Sequence, residues 1–246
     1  MRVLVTGAAG TVAPGVIRPL EKSYTLKLLD LTQSEQFAHH EWAVGSILDS
    51  EFLETAVQDV QAVVHCAVAR KAPGRDVTTE QFFDVNVKGL YLLLETCLKL
   101  GVRRFVHVSS TATVIGHWYA GRKITVDSPY TTRGRYSLTK VLQESICEHM
   151  ARNSDMTIVV LRLWHPCEGL TTRDESGEEV PRPYHPGLID TEDFGEACRL
   201  AIEGDKLSQF EVFHTVATQE ARERFDAERT ERILGFQARE DFHSLL

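Results

Sequence analysis

Arg2-Val-Leu-Val-Thr-Gly-Ala-Ala-Gly-Thr-Val-Ala13 opens the chain with a strand-length apolar run, two glycines three positions apart, and the beginning of a helical period. That order makes a glycine-rich string informative, because the turn must fold the chain back between strand and helix. Gly7 can take the tight turn, Gly10 lets the backbone approach a pyrophosphate, and Ala13 is small enough for the helix to lie close to the strand. Phosphate charge would then face the free N–H groups of the helix start, with Ala9, Thr11 and Val12 in the same loop. Asp30, 23 positions after Gly7, ends the next apolar run, where a carboxylate can accept a ribose 2′-hydroxyl and repel a 2′-phosphate. The register predicts a dinucleotide site that prefers NAD to NADP.

Outward from this turn, apolar runs alternate with helical segments. Strands are expected at Arg2–Thr6, Thr25–Asp30, Trp42–Val44, Ala62–Cys66, Arg104–Val108 and Thr157–Leu161. Helices are expected at Val12–Leu20, Phe52–Val57, Thr79–Leu100 and Tyr136–Arg152, the third marked by Val85, Leu92, Leu93, Thr96 and Leu100. Strand, helix, strand in succession predicts an α/β doubly wound parallel sheet, and nearly continuous apolar strands such as Phe105–Val108 predict helices on both faces. Residues 1–163 are read as the dinucleotide-binding Rossmann domain and residues 164–246 as a small substrate-binding region packed on it. His165–Asp190 is rich in Pro, Gly and charge without period, and is read as a binding loop. Beyond it, Thr191 caps a helix to Ile202, Phe210–His214 forms a strand, and Asp226–Leu234 forms a helix stopped by Gly235, with Phe236 and Phe242 packing back.

Composition narrows the class. Of 246 residues 43% are hydrophobic and 25% charged, the balance of a globular protein. A formal charge of −8 argues against nucleic acid as partner, since phosphate binding rests on clustered Lys and Arg. Apolar runs stay short of the roughly 18 residues of a membrane span, and Met1–Thr6 begins at once as a strand, which implies a cytoplasmic protein. Five scattered cysteines show no zinc spacing, so they are read as reduced thiols and no metal site is expected.

Tyr136-Ser-Leu-Thr-Lys140 puts a phenol and an ammonium four apart, hence on one helix face. It follows the strand that ends in Ser109-Ser110-Thr111, and such strand ends are where doubly wound sheets place ligands. With these motifs the chain resembles the extended short-chain dehydrogenase/reductases, in particular the NAD-dependent epimerase/dehydratase family, and is similar to its uronate dehydrogenases in its short C-terminal region. Gly45-Ser-Ile-Leu-Asp49, Val64-His-Cys-Ala-Val68, Asn86-Val-Lys-Gly89, Leu161-Arg162 and Arg232–Arg239 extend the likeness.

The resemblance implies hydride transfer between NAD and a carbinol carbon of a sugar, sugar acid or nucleotide sugar. By it Thr111 binds the substrate oxygen, Tyr136 is the acid/base, and Lys140 holds the nicotinamide ribose. A phenol ionises near pH 10 when free, and a neighbouring ammonium favours the phenolate. Ser46, Ile47, Cys66, Ala67, Val68, Asn86, Val108 and Ser109 are implied as further cofactor contacts. Ser46 stands where the family usually has Asp, and His165 where it commonly has Asn. The short C-terminal region is read as fitting a small substrate, with His165 and Arg182 on its side and Arg182 matching a carboxylate. By the resemblance the helices Thr79–Leu100 and Tyr136–Arg152 could form the two-fold contact of a homodimer, with a monomer as the alternative. The competing reading is a non-catalytic dinucleotide-binding regulator of the same fold.

Overall fold

The computed structural model describes residues 1–69, 76–174 and 176–246. In chain order come β1 (Arg2–Thr6), α1 (Ala13–Glu21), β2 (Thr25–Asp30), β3 (Glu41–Val44), α2 (Ser50–Val57), β4 (Ala62–His65), α3 (Thr79–Phe83) and α4 (Gly89–Lys99). Next are β5 (Arg104–Ser110), α5 (Gly116–Tyr119), α6 (Arg135–Arg152), β6 (Thr157–Leu163), β7 (His165–Cys167), β8 (Thr171–Arg173) and β9 (Glu179–Pro181). The chain closes with β10 (Leu188–Asp190), α7 (Thr191–Glu203), β11 (Phe210–Thr215), α8 (Gln219–Arg224) and α9 (Ala227–Leu234).

Seven strands pair in parallel in the order β11-β6-β5-β4-β1-β2-β3, the doubly wound arrangement that the alternating sequence pattern predicts. The order reverses between β1 and β4, which opens a crevice above their carboxyl ends. Side chains alternate along each strand, so the sheet separates two cores. Val3, Val5, Val64 and Val106 pack with α1 and α7 on one face, whereas Leu4, Val63, Phe105 and Ile158 pack with α2, α4 and α6 on the other. Burial on both faces is why the strands read as unbroken apolar runs.

Helices α1 and α7 approach until backbones touch. A Cβ at Gly195 would overlap the Gly15 carbonyl oxygen, and one at Gly15 would overlap Thr191. The C-terminal segment folds onto this pair: Phe236 and Phe242 are buried as expected, and Arg239 donates from Nε to Asp193 at 2.7 Å. Residues after 163 also supply β11, the strand at one edge of the sheet, and α7 against its face. Among the described residues no helix is long and apolar enough to cross a membrane.

Three local expectations change. The helix expected over Thr79–Leu100 is interrupted at Asp84–Lys88 by a π turn, which carries the buried Asn86. Asp190, not Thr191, caps α7, its carboxylate accepting from the Glu192 and Asp193 N–H groups at 2.8 and 3.4 Å. The stretch read as a loop over His165–Asp190 contains a parallel pair, β7 with β10, and an antiparallel hairpin, β8 with β9. These short strands have three residues each, too few to show a period.

Candidate active site

Gly7 follows β1 at a φ of +69°, and a Cβ there would lie 2.5 Å from the Ala67 nitrogen. The turn therefore lies directly against Cys66-Ala67 at the end of β4, and the two segments share the crevice at the strand reversal. Gly10 N–H closes the turn onto the Gly7 carbonyl at 2.9 Å. Asp30 at the end of β2 is joined to the same loop: its Oδ2 accepts from the Ala9 N–H at 2.9 Å and its Oδ1 from the Leu31 N–H at 2.6 Å. The acid and the glycine turn expected to share one ligand are thus in contact. A cradle at Gly7 with no room for a side chain fits a dinucleotide whose pyrophosphate lies on backbone N–H groups.

Other residues implied as cofactor contacts spend side-chain groups inside the protein. Ser46 accepts from the Leu48 N–H at 3.2 Å, Ile47 is buried, and Ser109 donates to Glu144 Oε1 at 2.5 Å. Asn86 accepts from Ala69 N–H at 2.7 Å and donates to the Ala69 carbonyl and to Thr139 Oγ1 at 3.1 and 3.0 Å. It ties the segment after β4 to α6, so its side chain shapes the crevice rather than reaching into it. The π turn aims Asn86 at these partners, which an uninterrupted α-helix would rotate away.

On the other side of the crevice stand the three residues expected to carry chemistry. Lys140, on α6, is buried and donates from Nζ to the Val108 carbonyl at 2.7 Å, which anchors α6 to β5. Its Nζ lies 6.0 Å from the centre of the Tyr136 ring, and Tyr136 itself is half-buried. Burial lowers the Lys140 pKa to about 8, with Cys66, Glu144 and Cys147 pulling weakly the other way. Thr111 follows β5 in a turn that packs on α6; its Oγ1 is buried and has no hydrogen-bond partner among the described residues. A buried hydroxyl without a partner is costly, and a substrate oxygen would satisfy it once the side chains covering it part.

A buried network without a periodic sequence signature supports this site. Arg162, at 2% exposure, donates from Nε and Nη2 to Glu144 at 3.1 and 2.9 Å, a bidentate pair with Glu144 at 1%. Arg162 Nη1 lies 3.2 Å from His214 Nε2, and His214 Nδ1 lies 2.6 Å from Asp226 Oδ1. Burial lowers the His214 pKa despite the Asp226 hydrogen bond, so the ring is neutral, donating from Nδ1 and accepting at Nε2. Lys140 and Glu144 sit one helical turn apart, which was the available signal. Beneath Lys140, His65 and His107 stack at 5.6 Å in register on β4 and β5; burial pushes the His65 pKa to about 3 and that of His107 well down.

The side of the crevice expected to take substrate carries aromatic rings. Trp118 of α5 and Trp164, which follows β6, meet edge to face at 4.8 Å, and both lie within 6 Å of Phe225. His165 lies 4.7 Å from His185, and its pKa is lowered by burial and then by His185 and Arg182. Arg182 is half-buried; its Nε and Nη2 donate to the carbonyls of Gly169, Glu168 and Thr171 at 3.1, 3.0 and 2.6 Å. The guanidinium is thus stapled to the β8–β9 hairpin beside His165.

Residues 3–176 match the NAD dependent epimerase/dehydratase family. A 3-beta-hydroxysteroid dehydrogenase of Mycolicibacterium neoaurum is 34% identical over 155 residues, 58% of this chain and 41% of that protein. The match thus spans about two fifths of that curated relative's length. Among solved structures, an NAD-bound short-chain dehydrogenase/reductase superfamily protein from Agrobacterium tumefaciens superposes with a TM-score of 0.81 at 23% identity, over 100% of this chain and 95% of its own. Glucuronic acid dehydrogenase from Chromohalobacter salexigens superposes at 0.82 with 21% identity, over 99% and 86% of the two chains. At these identities the likeness to the solved structures is one of fold.

Proposed function

Because the chain belongs to the NAD dependent epimerase/dehydratase family, and is an enzyme of that type, we propose that it oxidises or reduces a carbinol carbon of a sugar or sugar acid with NAD. The observation that carries the reading is the group around the end of β5: Lys140 bound to the Val108 carbonyl, the Tyr136 ring 6.0 Å from its Nζ, and the unpartnered Thr111 hydroxyl. When bound, NAD supplies the hydride acceptor at this crevice. The turn of Gly7, Ala9, Gly10, Thr11 and Val12 would lie against its pyrophosphate, with the Ala9 and Gly10 N–H groups already given to Asp30 and to the Gly7 carbonyl, and Asp30 would meet its adenosine ribose, which favours NAD over NADP by charge.

The residues have separable tasks. Tyr136 takes the carbinol proton at its phenolic oxygen in oxidation and returns it in reduction. Lys140, whose Nζ lies 6.0 Å from the Tyr136 ring centre, would supply positive charge to the phenol and a donor toward the ribose. Thr111 donates to the substrate oxygen and fixes which lone pair faces Tyr136. His165 and the stapled Arg182 would meet a carboxylate, because a guanidinium held by its neighbours has lost little freedom when it binds.

A second reading has its own observation. The relative matched at 34% identity is a hydroxysteroid dehydrogenase, and the partly exposed ring of Trp164, backed by the buried Trp118 and Phe225, offers an apolar edge against which a steroid would pack. A panel of uronic acids, aldoses, nucleotide sugars and 3β-hydroxysteroids with NAD, followed by NADH absorbance and product analysis, separates these readings. A uronate or aldose that generates NADH supports the first; turnover confined to steroids replaces it. Conversion of a sugar without NADH accumulation would mean epimerisation. Binding of NAD without turnover of any class would return the non-catalytic regulator.

A further inference from the structure

Glu21, His39 and His40 come together on the edge of the fold opposite the active site, and we propose that they bind a divalent transition cation of the zinc class. Helix α1 starts at the glycine turn and ends at Glu21, so its last residue lies at the amino-terminal edge of the sheet, near the start of β3 at Glu41. His40 Nε2 lies 2.8 Å from Glu21 Oε2 and His39 Nε2 lies 3.4 Å from the same oxygen. All three donor atoms are within 4.8 Å of one another, and the two imidazole centres are 4.1 Å apart.

Neighbouring residues in a strand would point to opposite faces, so their convergence needs a cause. The cause is the wound segment before β3. A 3₁₀ turn at Glu35–Phe37 continues through Ala38 N–H to the Glu35 carbonyl at 3.3 Å and His40 N–H to the Phe37 carbonyl at 3.1 Å. Trp42 Nε1 donates to that same Phe37 carbonyl at 2.9 Å. The buried Phe37 ring lies 6.5 and 6.4 Å from the two imidazoles and backs both. His40 is held at 12% side-chain exposure and Glu21 at 29%, while His39 at 63% leaves one side open to water.

Two imidazole nitrogens and one carboxylate oxygen suit zinc, whose bonds of about 2.0–2.2 Å set tetrahedral neighbours roughly 3.4 Å apart. The observed spacings bracket that value, so side-chain rotation without backbone change would complete three corners and leave the fourth for water. One carboxylate offsets half of the cation's charge, and the carboxyl end of the α1 dipole favours positive charge at the same place. The cation would replace hydrogen bonds between Glu21 and the imidazoles, and clip α1 to the segment joining β2 to β3.

The test uses the full chain, freed of metal by chelator and titrated with zinc chloride against a chromophoric zinc indicator, with thermal melts in parallel. One equivalent should bind and raise the melting temperature, as any ligand selective for the folded state does. His39→Ala, whose side chain is mostly exposed, and Glu21→Gln should each weaken binding at least about tenfold, or 1.4 kcal/mol. A control at the exposed, remote His243→Ala should bind as the parent does. Failure to bind one equivalent, or equal binding by parent, His39→Ala and Glu21→Gln, overturns the proposal.

Discussion

Single side chains at the crevice carry distinct and separable burdens. Asp30 already accepts from the Ala9 N–H, so its carboxylate is fixed where a ribose or a 2′-phosphate would arrive. NAD is expected to bind at least about tenfold more tightly than NADP by calorimetry, with the gap closing in Asp30→Ala, since charged hydrogen bonds contribute about 1.5–3 kcal/mol. Tyr136→Phe should lower turnover by about 10²–10⁴ while leaving NAD affinity nearly unchanged, because the ring still packs and only the proton-carrying oxygen is lost. Substantial residual turnover on a confirmed substrate would remove Tyr136 from its role. Lys140 adds a pH signature. Its folded pKa of about 8 lies below the ordinary lysine value, so the unfolded chain binds the extra proton between pH 8 and about 10.5. Measured against Lys140→Met, the parent should gain stability as pH rises through that window and show no differential slope below pH 8. A difference that falls across the window would contradict the burial of this ammonium.

At the scale of elements, the α1–α7 contact decides how the C-terminal residues seat on the sheet. Gly195 leaves room for the Gly15 carbonyl, and no small displacement of a side chain can relieve an overlap with backbone. Gly195→Ala is expected to cost about 1–3 kcal/mol in urea unfolding through forced separation of the helices, outweighing the better helix propensity of alanine. A variant as stable as the parent would mean that the two helices slide freely. The π turn in the Asp84–Lys88 segment shows the opposite balance. Local helix geometry yields there because the buried Asn86 gains three hydrogen bonds that regular winding would forfeit.

Across the molecule, Glu144, Arg162, His214 and Asp226 link α6, β6, β11 and the residue before α9 in one buried chain of charges and hydrogen bonds. Ser109 and Tyr130 also donate to Glu144, and the Tyr130 pKa rises to about 12 through burial and then the Glu144 charge. Glu144→Ala should therefore leave a buried guanidinium without its counter-charge and destabilise the protein by about 3–5 kcal/mol, read from denaturant midpoints. Loss below about 1 kcal/mol would show that water reaches Arg162. The same network runs behind Val108 to Ser110, so unfolding from the β11 edge is expected to disturb the site itself.

The amino-acid sequence alone determined the parallel doubly wound sheet, the glycine turn between β1 and α1, and the Tyr136–Lys140 helix face. Each rests on short-range regularity: an apolar period, a turn directly after a strand, two side chains one helical turn apart. Tertiary structure alone decided the rest. Arg162 meets His214 across 52 positions, and Glu21 meets His39 and His40 only because α1 and the segment before β3 end at one edge of the sheet. Asp190 displaces Thr191 as cap because its carboxylate reaches two N–H groups once β10 is laid beside β7. Arg182 likewise reads in the chain as the match for a carboxylate, yet folding commits its Nε and Nη2 to three carbonyls. Such choices depend on which buried groups lack partners after the chain has packed, a quantity that no local pattern encodes.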